Sequence, residues 1–99
     1  MKNYPTREAA RSAILIAGLQ VAQAKGYQYV QLTDIADRCG RSRMWVCNFF
    51  QVGELHDAIM RLACESRNLL VIAQGLATQH PAALALPEDV RRAAGEALV

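Results

Sequence analysis

Long hydrophobic runs are missing from this chain. No apolar stretch exceeds five residues, as in Leu69–Ala73, where a bilayer-spanning helix needs about 20. The opening MKNYPTRE leads straight into a charged amphipathic segment, so no secretory leader is expected; the reading is a cytoplasmic protein with no membrane partner. A CxxC pair is also lacking. The three cysteines, Cys39, Cys47 and Cys64, are odd in number and widely spaced, which counts against a disulfide framework or a structural zinc site. They read as small buried side chains in a reducing compartment. The open alternative, a metal held by Cys39, Cys47 and His56, has only these wide spacings behind it. The parts of an enzyme are absent too: no Gly-rich phosphate loop, no nucleophile elbow, no clustered carboxylates. His56, Asp57 and Glu65 stand with no nucleophile beside them. No catalytic residue, metal or cofactor is expected.

What is present is an Ala- and Leu-rich chain of 99 residues, 53% hydrophobic and 6% aromatic. That composition favours helices over strands, and the length allows one domain whose core is marginal unless a partner buries more surface. The net charge of +2 is small, but it is unevenly spread. Residues 1–50 hold seven Lys/Arg against three acids, a net +4, and residues 51–99 hold four against six, a net −2. A basic half joined to a mildly acidic one fits a nucleic-acid-reading end and an assembly end.

Apolar residues at helical spacing, Ala10, Ile14, Ala17 and Val21 with Leu15, Leu19 and Ala22 alongside, predict a first helix running to about Lys25. Thr6 is placed to cap it, Glu8 suits its positive end, and Gly26 stops it. Lys2 and Tyr4 precede it as an arm that either touches phosphate or is idle. Tyr27 to Gln31 reads as an extended connection, with Tyr27 and Val30 packing onto the first helix. From Glu54 a long helix is expected, carrying Leu55, Ile59, Leu62, Ala63, Leu69, Leu70, Ile72 and Ala73, and ending at His80-Pro81. From Leu62 onward its apolar residues wrap most of the way round, which calls for burial on more than one side. A second copy of the chain is the expected source, with burial within the monomer as the rival. AALAL reads as a connector. Pro87-Glu88-Asp89 starts a last helix with Val90, Ala94 and Leu98 on one face. His56 and His80 read as surface residues.

The most informative stretch is VQLTDIADRCGRSRMWVCNFF, residues 30–50. It reads as a helix over LTDIADRC, a tight turn at Gly40, and a second helix over SRMWVCNFF. Ser42 is placed to cap the second helix, and Val46, Phe49 and Phe50 to anchor it. This is the layout of a helix-turn-helix, whose second helix enters the major groove of DNA.

The residues from Ala13 to about Leu55 resemble the N-terminal domain of TetR-type transcriptional repressors. The likeness is carried in order by Ile14-Leu15, Ala17-Gly18-Leu19, Lys25-Gly26-Tyr27, Asp34-Ile35-Ala36, Arg38-Cys39-Gly40, Ser42, Val46-Cys47-Asn48-Phe49-Phe50 and Glu54-Leu55. The resemblance implies an all-α fold: a three-helix DNA-binding head over residues 1–53, then a dimerising part over residues 54–99 formed by a long helix and a short C-terminal helix. It also implies that Arg43, Met44 and Trp45, with Asn48 a turn later, reach bases, since Arg suits guanine and Asn adenine. Thr33, Arg41, Ser42 and Cys47 complete the DNA-facing set. Trp45 reads as exposed on that face, with a core position as the alternative; Cys47 is divided between groove and packing. Departures concern the backbone grip. Cys47 and Phe49 replace the usual tyrosine and tyrosine or histidine, Gly53 replaces a lysine, and Gln31 a threonine. Arg41, Arg38, Lys25 and Thr33 are the residues that could compensate. The expected dimer seam is Leu62, Leu69, Leu70, Ile72, Ala73 and Leu76.

The tail after the head is short beside the ligand-binding domains usual in the family, so no small-molecule inducer is expected. The function read from the sequence is a homodimeric repressor of double-stranded DNA, on a palindromic operator, of the compact kind that suits a plasmid or phage. The alternative is a helical module that binds another regulator through Leu62–Leu76 and has lost strong DNA binding.

Overall fold

The computed structural model describes residues 3–97, and among them every regular element is a helix. The elements are α1 (Arg7–Lys25), a 3-10 turn (Tyr27–Tyr29), α2 (Leu32–Cys39), α3 (Arg43–Cys47), α4 (Val52–Ser66), α5 (Leu69–Ala77), α6 (Pro81–Leu84) and α7 (Glu88–Glu96). Lys2 and Leu98 lie outside the described residues. None of these helices is long and apolar enough to cross a membrane.

The α1 boundaries follow its caps. The Thr6 hydroxyl accepts the Ala9 N–H at 3.0 Å, and the Gly26 N–H closes the far end on the Ala22 carbonyl. Leu32, Ile35, Ala36 and Cys39 form the buried stripe of α2. Gly40 then adopts φ 65° and ψ 36°, and the Arg41 N–H returns to the Ala36 carbonyl at 3.0 Å. That left-handed turn costs an L residue steric strain and costs glycine none, so the sequence can reverse direction within one residue. Ser42 accepts the Trp45 N–H at 3.1 Å and starts α3. The second helix is shorter than the expected SRMWVCNFF. It ends at Cys47, and Phe49 and Phe50 both donate to the Val46 carbonyl in a tighter turn that swings Phe50 into the core.

α1 and α4 pack along each other and carry both ends of the molecule, which measures 41 × 22 × 19 Å. Gly18 sits at their crossing; a Cβ there would lie 2.7 Å from Ile59 Cδ1. α2 and α3 pack at one end, and α5, α6 and α7 at the other. One cluster of buried side chains runs through both, from Ile14 and Ile35 through Ile59 and Met60 to Ile72 and Ala94.

Three further expectations about the backbone need correction. The long helix from Glu54 is two helices. α4 starts earlier, at Val52, and stops at Ser66 because Arg67 takes a left-handed conformation (φ 55°). The Arg67 guanidinium bonds back to the Cys64 carbonyl at 2.7 Å, and the Asn68 side chain accepts the Val71 N–H to start α5. Changing axis there lets the apolar residues on several sides of the sequence reach this chain's own core. Tyr27–Tyr29 is a 3-10 turn rather than extended, with the Tyr29 N–H on the Gly26 carbonyl at 3.1 Å. Tyr27 and Val30 are nonetheless buried, as their apolar character requires. AALAL is not a plain connector: Pro81–Leu84 makes one helical turn, capped by His80, whose Nδ1 accepts the Ala82 N–H at 3.0 Å.

Candidate nucleic-acid interface

Consecutive residues of an α-helix are about 100° apart, so five residues of α3 point in distinguishable directions. Val46 points inward and is fully buried. Opposite it lie Met44, 69% exposed, and Asn48 just past the last turn, also exposed. Arg43 and Cys47 occupy one flank and Trp45 the other.

The Arg43 flank faces the start of α2. Arg43 shares an open concavity of about 220 Å³ with Gln31, Leu32 and Thr33 of that segment and Val52 of α4. Thr33 and Ser42 are both exposed, Ser42 with its hydroxyl engaged as the α3 cap. Two of the cations expected to compensate for missing backbone grips already have protein partners. Lys25 bonds Asp34 at 2.8 Å, and Arg38 bonds Gln20 at 3.0 Å. The Lys25 bond, then the Gln31 N–H at 2.9 Å, hold the Asp34 carboxyl below its ordinary range.

The Trp45 flank is built from aromatic rings and arginines. Tyr4 stacks on Trp45 with ring centroids 5.4 Å apart and planes 24° apart. Phe49 meets the same indole edge-on at 5.2 Å. The Arg41 guanidinium lies 4.8 Å from the centre of the Trp45 ring, and Arg7 lies 4.3 Å from that of Phe49. Arg7 also donates to the Asn48 carbonyl at 2.8 Å, tying the start of α1 to the end of α3. One helical turn on, Arg11 covers Phe50 at 4.8 Å. The Tyr4 hydroxyl donates to the Cys39 carbonyl at 3.3 Å. Burial first, then its contacts with Cys39, raise the Tyr4 phenol above its ordinary value, and nearby Arg41 pulls the other way.

Trp45, expected to be exposed on the outer face with a core position as the alternative, is half-buried between Tyr4 and Phe49 as a post of the fold. Sequence reading missed the parts played by Arg7, Arg11 and Tyr4. The available signal was the i, i+4 spacing of Arg7 and Arg11, which puts both on one face of α1. Cys47 is half-buried on the Arg43 flank. Cys39, Cys47 and His56 do not gather into a metal-holding group among the described residues; the Cys39 thiol faces the Ala13 carbonyl at 4.0 Å and His56 the Val30 carbonyl at 2.7 Å.

The α5–α7 end has a different chemistry. Ile72 and Ala73, expected in a dimer seam, are buried in this chain's own core. Leu69 and Leu76 pack against that core, Leu62 is half-buried, and Leu70 is exposed. Gln74 reaches from α5 to the end of α1: its Oε1 accepts the Tyr27 N–H and its Nε2 donates to the Ala22 carbonyl, both at 2.9 Å. The Tyr27 hydroxyl meets the Thr78 hydroxyl at 2.6 Å. His80, expected at the surface, has a side chain only 11% exposed. With Nδ1 accepting from Ala82, its proton sits on Nε2, which donates to Asp57 Oδ1 at 2.9 Å. The Arg61 hydrogen bond, helped by His80, holds Asp57 below its ordinary range.

Compared with protein-family models, with curated proteins and with solved structures, the chain matches none.

Proposed function

We propose that this chain is a sequence-specific DNA-binding repressor of the TetR type, acting as a homodimer on a palindromic operator without a small-molecule inducer. The observation that carries this reading is the disposition of α3. Its outer face presents Met44 and Asn48, and Arg43 stands on one flank with Arg41 and Arg7 on the other. A helix that reads bases needs a protruding face between two backbone-facing flanks, because both phosphate strands border the major groove, about 12 Å wide. Asn48 is suited to the adenine edge and Met44 to a thymine methyl, while Arg43 reaches either a guanine edge or a phosphate from its flank. Thr33 and Ser42 lie beside it. Repression would be steric, by occupation of a promoter.

The second copy would meet Leu62, Leu69, Leu70 and Leu76, the members of the seam that keep some exposed surface; Ile72 and Ala73 are committed to the core. Selection from random duplex DNA, followed by footprinting, tests the reading. An enriched palindrome is expected, with Asn48→Ala relaxing specificity at one position and weakening binding by about 1–3 kcal/mol. Failure to enrich any sequence at low salt would overturn it.

A further inference from the structure

α6 is a single helical turn, Pro81–Leu84, held to the fold at three points. Ala83 is fully buried on α5, where Gly75 leaves room for it: a Cβ on Gly75 would lie 2.9 Å from Ala83 Cβ. The chain enters α6 through Gln79, whose left-handed φ of 60° is strained for an L residue. The third point is the cap, and here it is a ring nitrogen: His80 Nδ1 accepts the Ala82 N–H at 3.0 Å. Thr6, Ser42 and Asn68, which cap α1, α3 and α5, accept through oxygen and do so at any pH near neutrality. The His80 cap alone among these four rests on a group that gains a proton in that range.

We propose that His80 is an acid-operated latch, which holds α6 closed while its ring is neutral and releases it when the ring takes a second proton. The inference concerns the α5–α7 end and does not depend on the DNA reading. The two partners of the ring favour different protonation states. The Ala82 N–H needs a lone pair on Nδ1, which only the neutral ring supplies; in the imidazolium both nitrogens donate. Asp57 Oδ1, 2.9 Å from Nε2, gains when the ring is charged. The Arg61 hydrogen bond keeps Asp57 ionised for that task. A proton arriving on Nδ1 therefore leaves the ring tied to Asp57 and sets two donors face to face at Ala82. The cap is lost, Gln79 is free to leave its strained conformation, and Ala83 can lift from Gly75. The other titratable neighbours have settled partners. Tyr27 meets the His80 ring edge-on at 6.0 Å and shares its hydroxyl with Thr78. His56, 6.5 Å from the same tyrosine ring, has Nε2 on the Val30 carbonyl. α5 and α6 carry no titratable side chain, and the charged residues of α7 are exposed.

The test is an NMR titration of the full chain from about pH 8 to about pH 5, the range in which histidines gain charge. It reads the His80 ring nitrogens and the backbone amides together. At the upper end Nδ1 should carry no proton. On acidification the Ala82 amide should shift with the same midpoint as the His80 ring. The Leu84 and Ala85 amides bond to the His80 and Pro81 carbonyls, each at 3.0 Å. Their protection from hydrogen exchange, taken relative to the intrinsic rate at each pH, should fall about fivefold, the scale of a lost N-cap. His80→Asn supplies an amide oxygen that caps at every pH, so these amides should hold still across the range while His56 continues to titrate. Asp57→Asn removes the charge that retains the imidazolium and should move the Ala82 transition to lower pH. If His80→Asn melts early, the unaltered chain and Asp57→Asn carry the test. A proton on Nδ1 near pH 8, an Ala82 amide that ignores the His80 ring, or a transition that persists in folded His80→Asn would overturn the latch. A transition unmoved by Asp57→Asn would overturn the part given to Asp57.

Discussion

At the α5–α7 end, polar side chains turn inward. Gln74 satisfies both the Ala22 carbonyl and the Tyr27 N–H, Thr78 takes the Tyr27 hydroxyl, and His80 joins Asp57 to the α6 cap. At the α2–α3 end, the polar groups lie on the surface: Arg7, Arg11 and Arg41 rest on rings, and Arg43, Met44 and Asn48 project outward. Both ends rest on the same core, so the contrast is one of role. Hydrogen bonds closed within the protein fix how helices sit. Guanidinium groups lying on aromatic faces are held in position at the surface of the fold. On the proposed function the basic end is the one that meets a polyanion, and the inward-facing end holds α1 against α5.

The largest effect should come from what the two ends share. Ile59→Ala, at the buried α1–α4 crossing, should cost about 2–5 kcal/mol of stability in denaturant unfolding. Helical circular dichroism and Trp45 fluorescence should then report one transition; two separate transitions would break the comparison by making the ends independent. Next, Gln74→Leu should cost about 1–3 kcal/mol by stranding the Tyr27 N–H while leaving Trp45 emission unchanged; altered emission would mean that the clasp shapes the basic end as well. Tyr4→Ala should do the reverse, changing Trp45 emission while costing only about 0.5–1.5 kcal/mol.

The smallest effect is acid sensitivity at both ends. Asp34 and Asp57 are held below their ordinary range, chiefly by hydrogen bonds from Lys25 and Arg61. A depressed carboxyl stabilises the fold above its unfolded value and loses that contribution as pH falls through its folded one. The unfolding midpoint should thus be insensitive to these groups near neutrality and decline below about pH 4. Asp34→Asn and Asp57→Asn should each flatten part of the decline, and a decline unaltered in both variants would contradict the assignment.

Much of the helical order was legible because local chemistry dictates it. Thr6, Gly26, Gly40 and Ser42 mark their boundaries by capping or turning, and LTDIADRC, from Leu32 to Cys39, shows its inward stripe by spacing alone. The break at Arg67 was not legible, because a left-handed cap without glycine has no strong local signal. Misreading that break made Ile72 and Ala73 look like a seam, when a change of helix axis already buries them. Of the candidate site, the α2–turn–α3 layout was readable from spacing, and the outward Met44 and Asn48 were what the resemblance implied. The Trp45 cluster was not, because Tyr4, Arg7, Arg41 and Phe49 come from three separate segments that only the tertiary fold brings together.

The most direct test of the two-ended account is backbone amide NMR of the full chain as duplex DNA is added at low salt. The account predicts shift changes concentrated at residues 3–7, 31–34 and 41–49, with residues 69–96 little affected. Changes centred on residues 69–96, or none anywhere at protein-saturating DNA, would contradict it.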